Sequence, residues 1–119
     1  MPRKKVRGQY NYAAKRFYDA VVALGTGTGS IQERVHDATG YVTSVALREE
    51  HIPPSLRERF RELITRMTCA PDPLGEGTNA STPRAMSDEE AAAVAREVVS
   101  IFLYVARDYF GPGGAPIAD

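Results

Sequence analysis

The chain has no tryptophan, one cysteine and two histidines in 119 residues. A single cysteine, Cys69, closes no internal disulfide and supplies no cysteine-based zinc site. No apolar run approaches the roughly 18–20 residues that a membrane span requires. The opening Met1-Pro2-Arg3-Lys4-Lys5 is not followed by the apolar stretch of a secretory signal. Lysine is scarce as well, and arginine supplies most of the 15 basic residues. Arginine keeps its charge and its planar fork of donors under ordinary conditions, but the bias alone does not point to phosphate. These absences lead to the expectation of a small cytoplasmic protein with no membrane partner and no cofactor.

Hydrophobic residues make up 43% of the chain and charged residues 25%, which suits one folded domain. Four segments carry helical spacing. Tyr10, Ala14, Phe17, Val21 and Leu24 recur at intervals of four and three, and so do Ile31, Val35, Ala38, Val42 and Val45. Leu56, Phe60, Leu63, Ile64 and Met67 form a third stripe, flanked by charges with Glu58–Arg61 and Glu62–Arg66 in pairing reach. Ser30/Glu33, Ser55/Glu58 and Ser87/Glu90 each spell a capping box just ahead of an apolar stripe. Glycines at 25, 27 and 29 and at 111, 113 and 114 mark stops. The expected fold is therefore all-α, a single-domain four-helix bundle with helices at about 9–24, 30–48, 55–69 and 87–110. A long loop rich in Pro and Gly precedes the last helix. Residues 1–8 are expected as a basic N-terminal tail, 9–110 as the bundle and 111–119 as a flexible C-terminal tail.

The last helix differs from the others. Val94, Val98, Ile101, Val105 and Tyr109 make one apolar stripe, and Ala92, Val99, Leu103, Ala106 and Phe110 make another. A helix apolar on several sides is covered on several sides, by its own domain or by a partner. Val99, Leu103, Ala106 and Phe110 are the expected self-association residues.

A second anomaly lies at the start of the chain. Arg3, Lys4, Lys5, Arg7, Lys15 and Arg16 precede the first acid, Asp19, with Tyr10, Tyr12, Phe17 and Tyr18 among them. Cations neutralise phosphates and aromatic rings stack on bases, so these six are the expected anion or nucleic-acid contacts. No helix-turn-helix, RNA-recognition or zinc-finger pattern accompanies them. The net charge of zero is thus a cancellation between a basic head and an acidic body.

Catalytic signals are thin. The run from Gly25 to Ser30 lacks the Lys and the preceding strand of a phosphate-binding loop. Glu33 and His36 form one Glu-x-x-His, without the second copy that a helical metal site recruits. Arg48 and His51 stand closer together than the Arg–His pair of the HEPN-type helical ribonucleases. No catalytic or metal-binding residues are assigned. The leading expectation is a non-enzymatic helical module that self-associates or serves as a subunit of a larger complex. A nucleic-acid-binding accessory protein comes second, and a small helical ribonuclease or metal-dependent enzyme centred on His36 or His51 third.

Overall fold

The computed structural model describes residues 2–69, 82, 83 and 85–110, with side chains for 10–69, 82, 83 and 85–107. The first helix, α1, spans Pro2–Thr26. It begins at Pro2 rather than near residue 9, so residues 2–8 belong to the same helix as the Tyr10–Leu24 stripe. Proline suits the first helical position, and Arg and Lys are good helix formers. The one breaker, Gly8, costs only about 1 kcal/mol against them.

Helix α2 spans Ile31–Ala46. The Ser30 hydroxyl accepts the Glu33 backbone N–H at 3.1 Å, as the capping pattern required. Val35, Ala38, Val42 and Val45 are fully buried, together with Thr39, whose hydroxyl donates to the Val35 carbonyl at 2.7 Å. Gly40 lies on the exposed side of α2, where an added Cβ would meet nothing within 4 Å.

Two 3-10 turns follow, Glu49–His51 and Pro54–Leu56, and then α3, Arg57–Thr68. The expected Ser55–Glu58 capping box does not form. Pro54 starts the second turn one residue ahead of Ser55, so Ser55 has no extended N-cap backbone, and α3 starts without a side-chain cap. The expected pairs within α3 give way to longer-range ones. Arg61 pairs with Glu49, while Arg59 grips both oxygens of Glu97 at 2.8 and 3.0 Å and also donates to Ser100.

Helix α4, Asp88–Phe110, opens with the complete reciprocal box. The Glu90 N–H donates to the Ser87 hydroxyl and the Ser87 N–H to the Glu90 carboxylate, both at 3.1 Å. The expected long loop falls largely on residues 70–81 and 84, which lie outside the described residues.

Cross-helix contacts set the directions. Leu24 meets Arg34 and Arg16 meets Ser44, so α1 and α2 run antiparallel. Tyr18 meets Phe102, while Val21 and Leu24 lie across from Ala95 and Val99, so α4 runs antiparallel to α1. The Gln32 amide donates to the Asp88 carboxylate at 2.7 Å, which places the starts of α2 and α4 together. Phe17 and Phe60 meet edge to face at 6.0 Å in the core. One continuous buried cluster joins all four helices and includes Ile52 and Leu56 from the connection. The fold is all-α, with no strand among the described residues. No described helix is long and apolar enough to cross a membrane.

Candidate functional site

The four helices do not use all of their apolar surface internally. Tyr18 and Val22 on α1 are 52% and 40% exposed, and Leu103 and Tyr104 on α4 are 60% and 47% exposed. Val21, Leu24 and Gly25 face Ala95, Val99 and Leu103 across an open groove of about 660 Å³. Small residues at 25 and 95 keep the two helices' rims low, and Leu103 stands at the edge. Ile31 and the cations Arg34 and Arg96 complete the lining.

Arg34 lies along the groove wall. Its Nη1 donates to the Leu24 carbonyl at 3.3 Å, while its buried Nε has no hydrogen-bond partner. Gly27 permits this course, because a Cβ there would stand 2.6 Å from Arg34 Cγ. Neither Arg34 nor Arg96 has a carboxylate partner among the described residues.

The expected self-association residues separate by burial. Leu103 is exposed, Val99 is half-buried against the core, and Ala106 is nearly covered. The Phe110 side chain lies outside the described residues. Val22 and Arg34 stand outside the residues singled out by sequence, and Tyr18 entered only as an aromatic among the N-terminal cations. Tyr18 and Val22, four apart, form a second apolar row on α1 beside the core stripe. That spacing was a usable signal, whereas Arg34 had none.

Of the basic residues, Arg3, Lys4, Lys5 and Arg7 occupy the first turns of α1, and their side chains lie outside the described residues. Lys15 pairs with Asp19 at 3.2 Å. Arg16 reaches the same carboxylate at 3.9 Å, donates through Nε to the Ser44 hydroxyl at 2.9 Å, and lies 5.0 Å from the Tyr41 ring centroid.

The two histidines are not brought together. His36 sits in α2, half-buried between Glu33 and Asp37, with its buried Nδ1 unpartnered. His51 lies beyond the other end of α2, against the Tyr12 ring at 5.5 Å. The helix between them alone rises about 15 Å. No group of three or more His, Cys, Asp or Glu among the described residues is placed to hold a metal ion. Cys69, at the end of α3, is exposed.

Set against known protein families, curated proteins and solved structures, the chain matches none.

Proposed function

We propose that this chain is a non-enzymatic, cytoplasmic helical interaction module. It is a four-helix bundle that pairs with a second copy of itself through the α1–α4 groove. The observation that carries this reading is Leu103, a 60%-exposed leucine at the rim of an apolar groove that it helps to line. Knob and hole lie side by side on one surface, so two copies related by a two-fold axis would each fill the other's groove. Such a contact is isologous and closes at two subunits. Leu103 thus adds exposed apolar surface to the apolar groove, and contiguous apolar surface marks interaction sites.

Light scattering coupled to size exclusion tests the reading. The expected result is a dimer that Leu103→Asp converts to a monomer with unchanged helical content, because Leu103 contributes little to the core of its own chain. A wild-type chain that stays monomeric at high concentration overturns the proposal.

A further inference from the structure

A different part of α1 gathers rings and cations from three elements. The Arg16 guanidinium lies 5.0 Å from the Tyr41 centroid, and the Arg48 guanidinium lies 5.6 Å from that of Tyr12. His51 tilts against the same Tyr12 ring at 5.5 Å. Tyr12 and Tyr41 are half-buried, so each ring backs a cation rather than standing free. Arg48 is exposed and has no carboxylate partner among the described residues.

The carboxylates nearby are already engaged. Asp19 is shared by Lys15 and Arg16, and Glu50 lies 4.0 Å from His51. Glu49 pairs with Arg61, whose guanidinium holds that carboxyl below its ordinary range. Of Lys15, Arg16, Arg48 and Arg61, Arg48 is the one with no carboxylate partner among the described residues. The helix that carries Tyr12 also carries Arg3, Lys4, Lys5 and Arg7 in its preceding turns, with Lys5 two helical turns before Tyr12.

We propose that this surface binds single-stranded nucleic acid. Arg48, exposed beside the Tyr12 ring, stacks on a base, and the cations of α1 meet the phosphates. A guanidinium plane accepts any base on its outer face, and an unpaired strand offers bases to it where a duplex does not. The rings are not exposed enough to enter a lipid surface. The proposal is independent of self-association, which uses Val21, Gly25 and Leu103.

Fluorescence anisotropy with labelled oligouridine at low salt tests it, with circular dichroism confirming the fold of each variant. Saturable binding that weakens steeply with added salt is expected. Arg48→Ala should weaken it about tenfold. Arg48→Lys, which keeps the charge and loses the plane, should weaken it about threefold. Arg66→Ala, an exposed cation at the far end of α3, should change it less than about twofold. No binding by the wild-type chain overturns the proposal. So do equal losses from Arg48→Ala and Arg66→Ala, equal affinity for a duplex of the same length, and binding to phosphatidylserine vesicles in place of the oligonucleotide.

Discussion

Gly40 sits inside α2 with open space where a side chain would go, and its φ lies outside the left-handed region. Nothing in the fold requires a glycine there, so the residue contributes only its backbone entropy cost. Gly40→Ala should stabilise the chain by about 0.5–1 kcal/mol, read as a rise in the thermal midpoint. A fall would mean that a partner or a second copy packs closely over that position. At this scale the sequence was a partial guide. The buried identities of Phe17, Val42 and Leu63 followed from spacing alone. The meeting of Tyr12 with His51 and Arg48 did not, because it joins residues far apart in the chain across a turn whose geometry no local pattern encodes.

The helices were more legible than their ends. Stripes of four-and-three spacing placed α2, α3 and α4 within a residue or two of their observed bounds, because each stripe had one face to bury. The start of α1 was missed, since its first turns carry charge rather than an apolar stripe. The three Ser-x-x-Glu patterns read alike and fold differently. The Ser87 hydroxyl accepts a backbone N–H of α4, whereas Ser55 lies within a 3-10 turn and caps nothing. Ser87→Ala should therefore cost about 1 kcal/mol, while Ser55→Ala should stay within about 0.5 kcal/mol of the parent. Chemical denaturation of the two variants side by side measures this, and equal losses would contradict the observed caps.

Across the whole molecule, the densest runs of acid and of base stand apart. Asp88, Glu89 and Glu90 stand with Glu33 where α2 and α4 begin, while the basic residues open α1 at the opposite end. A chain whose formal net charge is zero is thus electrically lopsided. Two of its acids are tuned by their contacts. The Ser87 N–H and hydroxyl lower the Glu90 pKa from its ordinary 4.5, and Arg61 does the same for Glu49. A carboxyl lowered on folding adds stability that is full above 4.5 and fades as pH drops through the folded value. The thermal midpoint should fall on acidification below 4.5, and Glu90→Gln should flatten part of that fall. A midpoint that ignores this range would show both contacts to be idle.

Helix α1 carries both proposed surfaces, the groove toward its end and the ring-backed cations toward its start. Two copies joined through the groove would present two cationic faces on one rigid body. A strand long enough to span both would engage them at high effective concentration, and its avidity would exceed that of a single face by about 10²–10⁴. A shorter strand would gain nothing from the pairing. Strand length, rather than base identity, would then be what this molecule discriminates.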